Sequence, residues 1–339
     1  MKAVGLYRNL PIGDPESLVD LTVPKPAPSE RELLVEVKAI SVNPVDYKVR
    51  ARPDPNAALP RILGWDAAGV VREVGPGVRL FKPGDEVYYA GSIHKPGANS
   101  ELHVVDERIV GRKPRKLGFA AAAALPLTTL TAWEGLFDRL GISSSGGDSG
   151  KTVLLIGAAG GVGSIAIQLA KKLAGLRVVA TASRPESSRW VKELGADAVI
   201  DHTGDLAAQM KASGVAEADY IFCLTDATPY FPRFAPVVRP QGKLCLIVSM
   251  SEPVQLTPLM QKNVSIHWEF MFTRSLFQTP DMQRQHEILE AAAALIDSGT
   301  LHTTLAESLG SINAANLRRA HELLERGRTI GKLVLEGFG

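Results

Sequence analysis

Cysteine is almost missing from this sequence: Cys223 and Cys245 are the only two in 339 residues. That count excludes a disulfide framework and a four-cysteine zinc site. Both sit in apolar stretches, Tyr-Ile-Phe-Cys-Leu and Lys-Leu-Cys-Leu-Ile-Val, and read as small hydrophobes in buried strands. Long apolar runs are missing too. The alanine-rich stretch 119–130 is too short to span a membrane and is interrupted by Pro126. An excess of one charge is also lacking. A formal net charge of +2, with no basic stripe interleaved with aromatics, gives no pull toward nucleic acid or a membrane surface. The first residues, Met-Lys-Ala-Val-Gly-Leu-Tyr-Arg, hold no long apolar core and soon meet Pro11 and Asp14, so no signal peptide is expected and a cytoplasmic location is.

What is present points to two domains, since 339 residues exceed one ordinary core. Up to about residue 125, short β patterns (Leu33 to Ile40, Ala67 to Val74, Glu86 to Tyr89, Glu101 to Val105) alternate with Pro-Gly turns, as in a β-barrel-like unit. From about 126, strands and helices alternate: strands at 153–157, 177–182, 197–200, 219–224 and 243–249, with helices at 162–174, 186–194 and near 205–212. That is the pattern of a doubly wound parallel sheet. Ser265 to Phe272 reads as a further strand at the sheet's edge. A tail of helix, strand, helix and strand, ending at Lys332 to Leu335, is expected to return to the first domain. The expected division is therefore α/β, with a discontinuous domain 1–125 plus 273–339 and a second domain 126–272.

The most informative segment is Val-Leu-Leu-Ile-Gly-Ala-Ala-Gly-Gly-Val-Gly, residues 153 to 163. A buried strand, a glycine turn and a helix follow one another without interruption. Gly157, Gly160, Gly161 and Gly163 let the backbone approach a diphosphate along Ala159 to Val162, and the helix N-terminus faces that charge. NAD-specific sheets place a carboxylate at the end of the next strand. Here that strand ends in Ala182-Ser183-Arg184-Pro185, where Ser183 and Arg184 can hold a 2′-phosphate instead. The expected cofactor is NADPH.

The whole chain resembles the medium-chain dehydrogenase/reductase superfamily, and within it the zinc-free quinone oxidoreductase branch. The resemblance rests on Val42-Asn43-Pro44-Val45-Asp46, Gly64-Trp65-Asp66-Ala67-Ala68-Gly69, Val74-Gly75-Pro76-Gly77, Phe81-Lys82-Pro83-Gly84-Asp85, Leu130-Thr131-Ala132-Trp133, the glycine turn, and Ile330-Gly331-Lys332-Leu333-Val334-Leu335. The tail around His267 to Phe272 and Ile312 to His321 is similar to a bacterial subgroup labelled zinc-type alcohol dehydrogenase-like. The resemblance implies a GroES-like β-barrel catalytic domain beside a Rossmann domain. Zinc-dependent relatives hold their metal at places taken here by Asn43, by Gly64-Trp65-Asp66 and by Leu127, so no metal is expected. His94 and His103 read as loop and strand surface.

The resemblance further implies a nicotinamide near Asn43, Asp46, Thr131 and Lys332, in a cleft between the domains. Thr131 would bond the carboxamide, Asn43 and Asp46 would fix the ribose, and His202 would approach the adenosine end. Trp65 would form an apolar wall of the pocket, and Asp66 would support it or pair within the fold. Many quinone reductases carry a tyrosine two residues after the Asp46 position. Here Lys48 stands there with Tyr47 just before it, and either can donate to a substrate oxygen. The expected reaction is hydride transfer from NADPH to a quinone or an α,β-unsaturated carbonyl. The alternatives are a zinc-dependent alcohol dehydrogenase and an NADPH-binding sensor with little turnover. The partners expected are a small-molecule substrate and a second copy of the chain, paired through the 265–272 strand. Loops around 48–62 and 250–280 are expected to shape the pocket.

Overall fold

Period-two burial in the first third of the chain and long apolar strands in its middle lead to two different sheets. The computed structural model describes residues 1–52 and 60–339, so residues 53–59 of the expected 48–62 loop lie outside the described residues. Contacts divide the chain into Met1–Leu130 with Phe272–Gly339, and Thr131–Met271. The first junction falls inside the helix Pro126–Trp133, five residues beyond the expected 125/126 boundary.

The first unit contains β1 (Lys2–Leu6), β2 (Val19–Thr22), β3 (Glu32–Ser41), β4 (Arg61–Ile62), β5 (Ala67–Val74), β6 (Glu86–Tyr89), β7 (Leu102–Asp106) and β8 (Val110–Arg112). A small sheet runs β2-β1-β4. The larger sheet is built around β3, which pairs antiparallel with both β5 and β7. Leu33, Leu34, Val35, Val37, Ala39 and Ile40 of β3 are all buried, so this strand is core on both faces. His103 of β7 is core rather than surface: its ring stacks on Tyr89 and bonds the Tyr89 hydroxyl at 3.1 Å and the Pro96 carbonyl at 2.9 Å. Burial pushes its pKa down to about 4.

The second unit is one six-stranded parallel sheet: β9 (Thr152–Ile156), β10 (Arg177–Thr181), β11 (Ala198–Ile200), β12 (Ala218–Cys223), β13 (Val238–Leu246) and β14 (Ser265–Trp268). The order is β11-β10-β9-β12-β13-β14. The direction of strand addition reverses between β9 and β12, and in such sheets ligands bind at the carboxyl ends beside the reversal. Leu154, Ile156, Ile221 and Leu244 are buried in one apolar cluster, and Cys223 is among them. The edge strand β14 stops at Trp268, short of the expected Phe272. Glu269 still donates its amide to Leu246 (2.9 Å), but its side chain turns inward to Arg139 and the chain then leaves the sheet.

The tail returns to the first unit as β15 (Leu305–Ser308) and β16 (Lys332–Glu336). β16 pairs antiparallel with β3, placing Val334 opposite Ser41. This pairing delivers Lys332 to the start of the helix Pro44–Ala51.

Candidate functional site

In the first unit, Asn43, Asp46, Asp66 and Lys332 form one buried cluster. Asn43 caps the helix Pro44–Ala51, and its backbone N–H donates to Asp46 Oδ2 at 2.6 Å. Its amide Nδ2 donates to Asp66 Oδ2 (2.8 Å) and, at 3.4 Å, to the Trp65 carbonyl. Its Oδ1 accepts from Lys332 Nζ at 2.5 Å. Lys332 also donates to the Val42 carbonyl at 2.8 Å and to Asp66 Oδ2 at 2.9 Å. The other oxygen of Asp66 accepts the backbone N–H of Leu127 at 2.8 Å.

All three ammonium hydrogens of Lys332 are committed inside the unit, to Val42, Asn43 and Asp66, so it ties the cluster together, and the Asn43 amide is engaged at both ends. Asp46 is fully buried, and its Oδ1 has no hydrogen-bond partner. Burial pushes its carboxyl up to about 7; the Asn43 N–H and Lys332 oppose that rise, while Asp66 adds to it. Burial also raises the Asp66 carboxyl, against the pull of Lys332 and Asn43. Two carboxyls thus share one ammonium in a dry site.

Tyr47 and Lys48 lie on the same short helix and are half-buried. Burial, and then Glu325, raise the Tyr47 hydroxyl. The helix is anchored by a residue that sequence reasoning overlooked: buried Arg50 donates to the Leu10 carbonyl and to Glu325. Trp65 is 2% exposed; its indole N–H donates to the Ser92 carbonyl at 3.2 Å and its ring meets Phe272 edge-on. It is a packed wall.

The donor set does not fit zinc. Asn43 and Trp65 bring neither thiolate nor imidazole, Leu127 offers only a backbone N–H, and an ammonium already lies against the one carboxylate. Among the described residues, no group of three or more His, Cys, Asp or Glu is placed to hold a metal ion.

In the second unit, β9 leads through the turn into the helix Gly161–Lys172, with Gly160 as its N-cap. A Cβ placed on Gly160 would meet nothing closer than 3.8 Å, so the space above it is open. A Cβ on Gly163 would stand 2.2 Å from the Ala158 carbonyl, so that glycine is required for the turn to close. The open cradle, the free N–H groups and the dipole of a three-turn helix fit a dinucleotide diphosphate. Gly157, Ala159, Gly161 and Val162 complete the turn. Ser183 is exposed just after β10, and Arg184 caps the helix Pro185–Glu193 with its guanidinium 3.6 Å from Glu186. His202, beyond β11, packs edge-on against Tyr230, and its Nδ1 has no partner. Burial lowers its pKa. Thr131 is buried in the helix Pro126–Trp133.

The Lys332–Asp66 pairing had a readable signal. Asp66 sits in Gly-Trp-Asp-Ala-Ala-Gly and Lys332 precedes Leu-Val-Leu, so each charge lies in an apolar string that buries it and calls for an opposite charge.

The family model described as alcohol dehydrogenase GroES-like domain matches residues 29–129, and that described as zinc-binding dehydrogenase matches residues 194–335. A zinc-type alcohol dehydrogenase-like protein of Staphylococcus aureus is 43% identical over 312 residues, 92% of each chain. The 2-methylene-furan-3-one reductase of Solanum lycopersicum is 42% identical over 94% of this chain and 74% of its own length. A solved Rhizobium etli CFN 42 protein, provisionally named a zinc-dependent alcohol dehydrogenase, is 52% identical with a TM-score of 0.95, covering 100% of this chain and 98% of that one. The Escherichia coli quinone oxidoreductase complexed with NADPH is 28% identical with a TM-score of 0.82, covering 99% and 100%.

Proposed function

The chain belongs to the medium-chain dehydrogenase/reductase superfamily, and on that premise we propose that it reduces a quinone or an α,β-unsaturated carbonyl with NADPH and without a catalytic metal. The observation that carries this reading is the Lys332 ammonium, 2.9 Å from Asp66 and bonded to Asn43, where zinc-dependent relatives would place a metal. Without a Lewis acid, an alcohol has no device to ionise it. A conjugated carbonyl needs only a donor where negative charge develops on its oxygen.

The nicotinamide, when bound, supplies the hydride. Tyr47 or Lys48 donates a hydrogen bond to the substrate oxygen, on which the displaced electron pair settles, and solvent supplies the final proton. The buried cluster acts as positioning machinery: it fixes the first turn of the helix that carries both donors. Ser183 and Arg184 hold the 2′-phosphate, His202 lies along the adenosine, and Thr131 bonds the carboxamide. The Escherichia coli relative with NADPH supports the cofactor and the quinone, and the tomato enone reductase supports the unsaturated carbonyl. In this reading 1–125 with 273–339 is the catalytic domain, 126–272 is the nucleotide domain, and the protein is a cytoplasmic homodimer paired along β14. The outer edge of β14 has no neighbouring strand among the described residues, and Trp268 on it is exposed.

A cofactor- and acceptor-swap assay tests the proposal. NADPH consumption with quinones or enones, faster than with NADH, is expected. Equal or better use of NADH would remove the cofactor assignment. Tight NADPH binding without turnover across the panel would make the protein a sensor instead.

A further inference from the structure

The two anionic groups assigned above fall on two different helices of the second unit, and a hydrogen bond joins those helices. The diphosphate turn leads into the helix Gly161–Lys172, while Ser183 and Arg184 lead into the helix Pro185–Glu193. On the first helix Ser164 is fully buried, and its amide and its hydroxyl both donate to the Gly160 carbonyl, at 2.9 Å and 2.8 Å. A serine inside a helix often bonds back in this way. Here the bond falls on the N-cap itself, so it fixes the Gly160–Gly161 peptide, whose N–H is among those offered to a diphosphate. The same hydroxyl accepts the indole N–H of Trp190, on the second helix, at 2.8 Å. A ring needed only for packing could be that of Phe. Trp brings one N–H donor, and it is spent on the residue that holds the turn.

The far ends of the two helices are tied separately. Lys171 donates to both carboxylate oxygens of Asp197, just beyond the second helix, each at 2.9 Å, and Asp197 accepts the Val178 amide of β10 at 2.7 Å. At the near end of the second helix, the Arg184 carbonyl accepts from the Ser187 hydroxyl and the Ser188 amide, both at 2.9 Å. Movement of that first turn therefore carries Arg184 with it. We propose that Trp190 and Ser164 are positioning residues that set the distance between the diphosphate turn and the 2′-phosphate corner at Ser183 and Arg184, and so sharpen the preference for NADPH over NADH. This role presupposes the 2′-phosphate assignment made above. A fixed separation matters only to a ligand that occupies both places. NADPH carries charge at both. NADH carries the diphosphate alone, and a shift of the second helix leaves its diphosphate contacts in place.

Hydrogen exchange and binding titrations on the full chain test this. In ligand-free protein, exchange of the Ser188 amide, bonded to the Arg184 carbonyl, reads the first turn of the second helix. Trp190→Phe keeps a ring and removes one hydrogen bond, so protection at that amide should fall about fivefold. NADPH binding should weaken by the same factor with NADH binding unchanged, and the ratio of the two dissociation constants should fall accordingly. Ser164→Ala, which also frees the Gly160 carbonyl, should weaken both cofactors and lower the ratio as far. The double variant should lower it no further, because both changes remove one and the same bond. A ratio unchanged in Trp190→Phe, in a protein whose parent prefers NADPH, would overturn the role; so would losses that multiply in the double variant. A parent protein without any preference for NADPH would instead overturn the 2′-phosphate assignment, with the exchange measurement still deciding whether the indole bond holds the helix.

Discussion

Lys332 and Asp66 form a buried ion pair at 2.9 Å whose two side chains are 4% and 0% exposed. An ammonium in this position fixes the local field of the first unit in the way a bound cation would. It leaves Asn43 and Asp46 ordered around it. Removing one partner of such a pair leaves the other charge stranded. Lys332→Met is therefore expected to destabilise the protein by about 3–5 kcal/mol, with Asp66→Asn/Lys332→Met recovering much of that loss. Denaturant unfolding of the three proteins checks this. A cost for Lys332→Met within the range of an exposed pair would show that Asp66 is neutral in the folded state.

Asp46 makes the first unit sensitive to pH. Its folded carboxyl titrates near 7 and its free counterpart near 3.8, so its contribution to stability is lost as pH rises across that window. Asp46→Asn keeps the shape and removes the titration. The variant should gain on the parent steadily from acid to neutral pH and hold a constant advantage above it. A difference that does not change with pH would place the proton elsewhere in the cluster.

Gly160 and Gly163 stand in one turn and predict opposite kinds of defect. Gly163→Ala should disrupt folding of the second unit, because its Cβ would lie 2.2 Å from the Ala158 carbonyl. Gly160→Ala should fold normally, with a methyl projecting into open space, and should bind the dinucleotide at least about tenfold more weakly, a loss of about 1.4 kcal/mol. Circular dichroism and fluorescence titration separate the two. Unchanged affinity in Gly160→Ala would move the diphosphate away from this turn.

The parallel sheet was largely legible in the sequence, because strands buried on both faces read as apolar runs: Val-Leu-Leu-Ile became β9, and the helix after the glycines began within one residue of its expected start. The candidate site was legible only as separate residues. Lys332 and Asn43 stand 289 positions apart, and their contact depends on β16 pairing with β3, which no local pattern encodes. For the same reason the sequence does not show that the polar atoms of Lys332 and Asn43 face one another. His103 was misjudged because alternation in β7 does not reveal that Tyr89 stacks over it.

Arg184 tests cofactor choice. Its guanidinium lies 3.6 Å from Glu186, just beyond the end of β10, where a 2′-phosphate would meet it. Arg184→Ala should weaken NADPH binding about 10- to 100-fold, as loss of a charged hydrogen bond of about 1.5–3 kcal/mol implies, while NADH binding changes little. Parallel loss of both cofactors would assign Arg184 to capping its helix alone.

The central claim, reduction of a conjugated acceptor by a site organised around Lys332 instead of a metal, is tested most directly by one rate comparison. NADPH oxidation with a quinone is measured before exhaustive chelation, after it, and after zinc is restored. The account predicts the same rate in all three. A rate abolished by chelation and recovered with zinc would contradict it.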